Sequence, residues 1–276
     1  MLEKILDFMK TAGGLALQNY GKTDNSNFKS DSMFDIVTSS DLEISKMFAK
    51  FVEDNFKDMD YCIIDEENLD KLGENPFEEI NKHEWQFVID PIDGTLTYAL
   101  EIPMFGISVG VLHNGRPYCG AAYAPALGEL IYGDKNNAFW VKKAFSEKEQ
   151  RVELKRKDPG KLPLVFNMDW FVRPGVELDT SVDCPANFYS AVVHLIYMAT
   201  GRGKCFYFGV KIWDMAGSWA VIKLLGMEFI DYQTGEILEK LSADKFSDKL
   251  KIKNCHIICR PKDFEHFKNI SEEMPE

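Results

Sequence analysis

The 276-residue chain lacks the features that mark several classes of protein. Its six cysteines include no Cys-x-x-Cys pair, and their wide spacing argues against a disulfide framework. Cys255 and Cys259 flank His256 within an apolar stretch, which indicates a buried strand rather than a zinc site. No apolar run reaches the roughly 18 residues of a membrane span. No glycine-rich loop follows a strand, so a dinucleotide-binding domain is disfavoured.

Positive charge is also scarce, since 32 Lys and Arg residues stand against 44 Asp and Glu residues, a formal net charge of −12. This acidic excess argues against nucleic acid and anionic membranes as partners. Glu3 and Asp7 lie where a signal peptide would have its apolar core. We therefore expect a cytoplasmic protein in which the binding of any anionic substrate depends on local cations.

The composition is that of a globular protein with a large core. The chain is 45% hydrophobic, and its length suits one large domain or two joined ones. Strand-like and helix-like patterns alternate in both halves, which predicts a layered α/β fold. The charged stretch 142–161 predicts a boundary between an N-terminal α+β subdomain, 1–141, and a C-terminal α/β subdomain, 142–276.

Helical spacing of apolar residues predicts two helices at the start of the chain. The first covers about 2–17 and is expected to loosen at Gly13-Gly14. The segment Ser40-Asp41-Leu42-Glu43 has the pattern of a capping box and predicts the start of the second helix. The apolar stripe behind it extends to Phe56. Two helices therefore precede the first segment with catalytic chemistry.

Short apolar runs predict strands at 61–64 and 87–89, and both run into carboxylates. The acidic stretch 68–84 between them is predicted to be an exposed, mobile loop. Asn114-Gly115 predicts a hairpin turn. In the second half the predicted elements are strands at 164–166, 205–208 and 228–231 and helices at about 190–199 and 214–225.

The segment Asp90-Pro91-Ile92-Asp93-Gly94-Thr95 carries the strongest chemical signal. Two carboxylates three residues apart, with a proline fixing the turn, can converge on a hard cation such as Mg²⁺. The amides of the following Gly-Thr pair are placed to bind an oxyanion if a helix starts there. A bare Asp-x-x-Asp-Gly is more often a solvated turn. The further acidic segments Asp65-Glu66-Glu67 and Trp213-Asp214 favour the metal site.

These three segments resemble, in order and separation, those of the inositol monophosphatase-like family of Mg²⁺-dependent, lithium-sensitive phosphatases. Fructose-1,6-bisphosphatase and 3′-phosphoadenosine 5′-phosphate phosphatase are related to that family. The resemblance covers the chain from about Lys29 to Gly235, and Lys29, 35–41, 103–110, 190–191 and 199–201 also match. It implies a layered α/β/α/β/α sandwich, commonly a homodimer.

The resemblance also implies a site that holds two or three Mg²⁺ ions. It assigns one ion to Glu66, Asp90 and the backbone carbonyl of Ile92. A second ion is assigned to Asp90, Asp93 and Asp214. Glu66 would also touch a weaker third ion through water.

Catalytic roles follow from the same resemblance. Thr95, helped by Asp41, would orient the attacking water, and the amides of Gly94 and Thr95 would hold the phosphate. The implied catalytic set is Thr95, Asp41, Glu66 and Asp93. The implied substrate-binding set is Gly94, Thr95, Asp93, Ser190 and Asp214. The expected reaction is hydrolysis of a phosphate monoester of a small metabolite by metal-activated water.

The chain departs from the family pattern mainly around the substrate. Asp65, Asn137 and Tyr189 stand where the family usually has Gly, and Thr97 stands where it usually has Asn. No acid lies between Cys205 and Gly209, where inositol-preferring members carry Glu. The substrate is therefore left open among inositol phosphate, a sugar bisphosphate, a 3′(2′),5′-bisphosphate nucleotide and NADP.

Several residues have structural interpretations as well. Tyr189 and 206–208 form either an aromatic substrate wall or part of the core. Asp41 either orients water or caps a helix, Lys29 is either near the metal loop or a surface charge, and Trp213 is more simply a packing residue. The departures also keep open a second function, a non-catalytic regulatory protein on the same fold.

Overall fold

The computed structural model describes residues 1–22, 27–28, 36–156, 164–167 and 184–269. Lys29 and Asp35, which contribute to the family resemblance, lie outside these ranges. The described residues form a seven-stranded sheet, a five-stranded sheet and a two-stranded pair. Among them no helix is both long enough and apolar enough to cross a membrane.

The first layer consists of two long helices on one face of the seven-stranded sheet. The N-terminal elements are α1 (Leu2–Asn19), β1 (Asn27–Phe28), β2 (Ile36–Val37) and α2 (Ser39–Phe56). Both helices bury apolar side chains against the sheet, among them Ile5, Phe8 and Phe48. Helix α1 does not loosen as predicted, since it continues through Gly13. A Cβ there would lie 2.2 Å from the ring of Tyr123, so glycine allows the close packing.

The second layer is the seven-stranded sheet. Its segment of the chain contains β3 (Tyr61–Asp65), α3 (Pro76–Ile80), β4 (Trp85–Asp93), α4 (Thr95–Ala99), β5 (Gly106–His113), β6 (Arg116–Ala124), β7 (Glu129–Asp134), β8 (Ala138–Lys142) and β9 (Gln150–Glu153). The strands lie in chain order, and β3 pairs parallel with β4 while the other neighbours are antiparallel. Asp65 pairs with Ile89, so β3 and β4 end at the same edge.

The remaining elements build a second sheet and the helices around it. They are β10 (Leu164–Asn167), β11 (Cys184–Ala186), α5 (Ala191–Ala199), β12 (Gly203–Phe208), α6 (Ile212–Leu224), β13 (Glu228–Asp231), β14 (His256–Cys259) and α7 (Phe264–Asn269). The strand order is β11-β10-β12-β14-β13. Strand β10 is parallel to both neighbours, and β14 is antiparallel to both of its own.

Helices α5 and α6 lie between the two sheets, and α7 covers the outer face of the second one. Helix α6 approaches β5 very closely, because a Cβ on Gly110 would lie 2.4 Å from the backbone carbon of Ala216. This approach brings the first turn of α6 to the edge where β4 ends. The fold is therefore the α/β/α/β/α sandwich that the family resemblance implies.

Two further local predictions were wrong. The stretch 68–84 contains α3 and part of a 3₁₀ segment, Glu66–Leu72, and it buries Leu72, Phe77 and Ile80 against the core. The cap of α2 is Thr38 rather than Ser40, because the carboxylate of Asp41 reaches back to the Thr38 backbone N–H, which donates to it at 2.9 Å. The subdomain boundary near residue 141 stays a prediction. Strand β9 lies beyond this boundary and still belongs to the first sheet, because it pairs with β8.

Candidate metal centre

Three carboxylates from separate parts of the chain meet where β4 ends. Asp90 and Asp93 come from the last residues of β4, and Asp214 comes from the first turn of α6. Each offers one oxygen, and these oxygens all lie within 4.8 Å of one another. Asp90 is 1% exposed and Asp93 is 7% exposed. An oxygen-only cluster of this kind suits a hard divalent cation.

The cluster carries more negative charge than a buried site tolerates without a cation. Burial raises the pKa of Asp90 well above its usual range, and the charges of Glu66, Asp93 and Asp214 raise it further. Burial and the Asp214 charge raise the pKa of Asp93. Burial and the Glu66 charge raise the pKa of Asp214. A bound divalent ion would reverse these shifts, because it favours the ionised carboxylates.

One oxygen of the cluster is suited to bind a metal ion. Asp90 Oδ1 is buried and has no hydrogen-bond partner among the described residues. Buried polar atoms without a partner are rare and costly. The donor set of Asp90, Asp93 and Asp214 therefore fits a divalent metal ion. The predicted ligand Glu66 is not one of these three acids, although its charge acts on Asp90 and Asp214.

Asp93 is held in place by the start of α5. The Ser190 hydroxyl donates to Asp93 Oδ2 at 2.5 Å, and the Val192 N–H donates to the same oxygen at 2.7 Å. Ser190 is also the N-cap of α5, since its oxygen accepts from the Val193 N–H at 3.2 Å. These bonds favour the ionised carboxylate and oppose the rise in the pKa of Asp93. Ser190 thus joins the site through Asp93.

The turn between β4 and α4 requires glycine at its first position. Gly94 has φ +84°, and a Cβ there would lie 2.8 Å from Thr97 Oγ1 and 2.9 Å from the Met104 carbonyl oxygen. Thr97 stands where the family usually has Asn, and its hydroxyl lies 2.7 Å from the Gly94 carbonyl oxygen. The Thr95 hydroxyl donates to the Ile92 carbonyl at 2.9 Å. Thr95 is therefore fixed beside the carbonyl that the resemblance assigns to a metal.

Asp41 lies at the cap of α2. Helix capping was one of the two roles that the sequence left open for this residue. It is 1% exposed, and it accepts hydrogen bonds from the backbone N–H and the hydroxyl of Thr38. Burial raises its pKa to about 7, the Thr38 bonds lower it, and the charges of Glu67 and Glu66 raise it. The capping contacts account for the conformation of Asp41, and its action on water stays a prediction.

The replacement of glycine by Asp65 has a structural role. The Asp65 carboxylate accepts from the Glu67 N–H at 3.0 Å, from the Asn68 side-chain amide at 2.8 Å and from the Ser45 hydroxyl. It therefore caps the 3₁₀ segment on which Glu66 lies. This departure fixes the backbone that presents Glu66 and does not remove a ligand.

The sequence reasoning missed Lys211, a basic residue beside the acids. Its Nζ lies 3.6 Å from Glu66 Oε1, and its backbone N–H donates to Asp214 Oδ2 at 2.8 Å. The ammonium also lies 4.9 Å from the centre of the Trp213 ring. The available signal was a cationic residue three positions before Asp214, at the N-cap of α6.

Of the two interpretations of the four aromatic residues, burial in the core is confirmed for three. Phe206, Tyr207 and Phe208 are 0% exposed and pack in the core. Tyr189 alone of the four faces solvent, at 54% exposure and with φ +56°. Its N–H donates to the side-chain oxygen of Asn187 at 2.8 Å. Tyr189 is therefore a solvent-facing ring directly before Ser190.

The chain is similar in sequence to proteins that carry several different names. A protein of Neurospora crassa named Quinic acid degradation cluster protein x is 29% identical over 177 residues, which cover 63% of this chain and only 49% of that protein. The fructose-1,6-bisphosphatase/inositol-1-monophosphatase of Thermotoga maritima is 24% identical, over 85% of this chain and 86% of that protein. Nus factor SuhB of Pasteurella multocida is 25% identical, with the same two shares.

Solved structures with the same fold cover nearly the whole chain. The IMPase of Thermotoga maritima has a TM-score of 0.72 at 20% identity and covers 97% of this chain and 95% of its own. An IMPase/NADP phosphatase complexed with Mg²⁺ and phosphate has a TM-score of 0.69 at 16% identity, over 96% and 92%. The model of the inositol monophosphatase family matches residues 2–268. Together with the carboxylate cluster, this match shows that the chain belongs to the inositol monophosphatase family.

Proposed function

We propose that the chain is a Mg²⁺-dependent phosphatase that hydrolyses a phosphate monoester of a small metabolite. The observation that carries this proposal is the cluster of Asp90, Asp93 and Asp214, whose oxygens lie within 4.8 Å of one another. Membership of the inositol monophosphatase family supports it. One similar structure holds Mg²⁺ and phosphate, which supports the same metal for this chain.

Residues of this chain divide between holding metal and placing the reacting groups. We assign one ion to Glu66, Asp90 and the Ile92 carbonyl, and a second to Asp90, Asp93 and Asp214, with a weaker third position at Glu66. Bound divalent ions supply a more acidic coordinated water and neutralise phosphoryl oxygens. The buried Asp90 Oδ1, which has no hydrogen-bond partner in the described part of the chain, supports this assignment.

Thr95 and Asp41 are proposed to orient the attacking water. The Thr95 hydroxyl gives its hydrogen to the Ile92 carbonyl, which leaves its lone pairs to accept a hydrogen bond from water. Asp41, with a pKa raised to about 7, can exchange a proton near neutral pH. The backbone N–H groups of Gly94 and Thr95, at the turn after β4, are proposed to hold the phosphate.

The substrate side of the site is formed around the start of α5. Ser190 and Asp93 are fixed to one another there, and Tyr189 adds an exposed ring. An aromatic face favours an acceptor that carries a ring of its own. We therefore propose an inositol phosphate or a related sugar or nucleotide phosphate, with a 3′(2′),5′-bisphosphate nucleotide, fructose 1,6-bisphosphate and NADP as alternatives. One similar structure is complexed with NADP, and another is bound to inositol monophosphate.

The remaining expectations from the family are proposed here as well. We propose a cytoplasmic homodimer that lithium inhibits. The exposed Leu100 and Ile102, at 61% and 43% exposure, follow α4 and offer apolar surface for a second copy. Sedimentation of the purified protein tests the dimer, and a single monomeric species would contradict it.

A second function, a non-catalytic regulatory protein, is favoured by one observation. Three relatives, at 24–25% identity, are named Nus factor SuhB. The phosphatase requires metal bound to the carboxylate cluster, whereas a purely regulatory role does not. Calorimetric titration with Mg²⁺ separates the two functions, since absence of binding favours regulation and clear binding favours the phosphatase.

The Asp93→Asn substitution tests the phosphatase directly. It removes one metal ligand while keeping side-chain shape, so we expect phosphate release to fall by about 100-fold or more. Asp54→Asn is the matched control, because Asp54 is an exposed acid on α2 that pairs with Lys50. The control should leave the rate unchanged. Full activity of Asp93→Asn would overturn the assignment of this residue and of the site.

A further inference from the structure

Lys211 places a cation beside Glu66, next to the carboxylate cluster. Its backbone is held at two points, since its N–H donates to Asp214 at 2.8 Å and its main chain forms an antiparallel bridge with Lys251. Its side chain extends to Glu66, where Nζ lies 3.6 Å from Oε1. The backbone of Lys211 is therefore firmly placed, and its ammonium lies against the carboxylate of Glu66, a proposed metal ligand.

The environment of this ammonium allows it to leave. The Lys211 side chain is 41% exposed and Glu66 is 21% exposed, so water screens the pair. The 3.6 Å separation is an ion-pair contact and is too long for a strong hydrogen bond. The centre of the Trp213 ring lies 4.9 Å from Nζ, so the ammonium has a second, cation–π contact besides Glu66. The contact is thus held loosely and is exchangeable.

Glu66 and Lys211 act with opposite sign on the buried acids beside them. The charge of Glu66 raises the pKa of both Asp90 and Asp214, and the charge of Lys211 lowers the pKa of Asp214. A metal ion and an ammonium on the same Glu66 carboxylate repel each other. The ammonium of Lys211 and a divalent ion bound by Glu66 therefore oppose each other.

We propose that Lys211 is a place-holding cation, which neutralises Glu66 while the metal site is empty and is displaced from it when a divalent ion binds. This inference rests on the proposed function, because it requires that Glu66 binds metal. It has two consequences for the molecule. Lys211 stabilises the metal-free fold, and it weakens the affinity for Mg²⁺, so that loading responds to the concentration of the free ion.

Mg²⁺ titration calorimetry of the metal-stripped, full-length protein tests the proposal. We expect Lys211→Met to bind Mg²⁺ about three- to tenfold more tightly than the unsubstituted protein, because a partly screened competitor has been removed. Its metal-free form should melt about 1–3 °C lower. Lys211→Gln repeats the charge removal with a polar side chain in case the methionine variant does not fold.

Two controls separate the ammonium from general effects of charge and packing. Lys211→Arg keeps the cation and should keep the original affinity. Lys251→Met removes an exposed charge from the residue whose backbone pairs with Lys211, and it should also keep that affinity. If it tightens binding as much as Lys211→Met does, the effect is general charge and the proposal is overturned.

The remaining outcomes are equally decisive. Unchanged or weaker Mg²⁺ binding by Lys211→Met and Lys211→Gln overturns the proposal, since Lys211 would then be neutral toward metal or would support Glu66 as a ligand. If the unsubstituted protein binds no Mg²⁺, both this proposal and the phosphatase fail. If it binds Mg²⁺ and releases phosphate while the variants bind no more tightly, the place-holder role alone fails.

Discussion

Tyr189 is the exposed member of the four aromatic residues considered for a substrate wall. A tyrosine at φ +56° is strained by roughly 1–2 kcal/mol, yet it is held there by the turn before Ser190. Strain of this kind at the edge of a site is consistent with a functional ring. The turn is also held by His194, whose Nε2 accepts from the Phe188 N–H at 2.9 Å.

The Tyr189→Gly substitution separates strain from substrate contact. Glycine fits the backbone, so we expect the free energy of unfolding to change by less than about 1 kcal/mol. Loss of the ring should raise KM about three- to tenfold with little change in kcat, as expected for the loss of one aromatic contact. Tyr189→Phe keeps the ring and should keep KM. Steady-state kinetics on the preferred substrate decides, and an unchanged KM in the glycine variant would show that the ring does not touch it.

His194 gives a prediction for pH. It is 0% exposed, and burial lowers its pKa to about 3. The unfolded chain therefore binds a proton below about pH 6.5 that the folded chain excludes, so stability falls as pH falls. Between pH 7 and pH 5 this group alone costs about 2 kcal/mol.

The measurement for His194 is urea denaturation at both pH values, with and without His194→Gln. The variant lacks the titrating ring, so its disadvantage relative to the unsubstituted protein should shrink by about 2 kcal/mol at pH 5. Other titrating groups cancel in this comparison. A difference that stays constant with pH would mean that His194 is not buried in its neutral form.

At the scale of elements, neighbouring glycines on α1 behave differently. A Cβ on Gly13 would lie 2.2 Å from the Tyr123 ring, whereas a Cβ on Gly14 would meet nothing within 4 Å. We expect Gly13→Ala to destabilise the protein by about 1–3 kcal/mol through overpacking. Gly14→Ala should stabilise it by about 0.5–1 kcal/mol through helix propensity. Thermal or urea unfolding measures both, and equal effects would show that α1 does not pack closely on β6.

Elements with a clear apolar pattern could be predicted from the sequence. Helices α5 and α6 follow their predicted ranges within about two residues, because each has an apolar run closed by a glycine, Gly201 or Gly226. Strand β9 gave no such signal, since all its residues are exposed. Helix α3 was not predicted, because Phe77 and Ile80 are isolated apolar residues in an acidic stretch.

The candidate site shows the same limit. The carboxylates of the cluster could be predicted because Asp90 and Asp93 belong to one short, specific segment. The contact between Lys211 and Glu66 joins two parts of the chain that are remote in sequence, so no local pattern predicts it. The burial of Phe206 and Phe208 likewise depends on how the second sheet packs against α5 and α6. Local chemistry was predictable, and tertiary packing was not.

At the scale of the whole molecule, the formal net charge of −12 has a specific meaning. Four of these negative charges belong to Glu66, Asp90, Asp93 and Asp214, which lie together at one edge of the first sheet. Such a site repels a phosphate until divalent ions load it. The account therefore makes phosphate binding conditional on metal.

Phosphate release by the unsubstituted protein, with Mg²⁺ or with a chelator, is the most direct test. The panel contains inositol 1-phosphate, fructose 1,6-bisphosphate, 3′-phosphoadenosine 5′-phosphate and NADP. The account predicts release from at least one of these with Mg²⁺ and none with the chelator. Release that persists without metal, or no release from any of them by a protein that binds Mg²⁺, would contradict it.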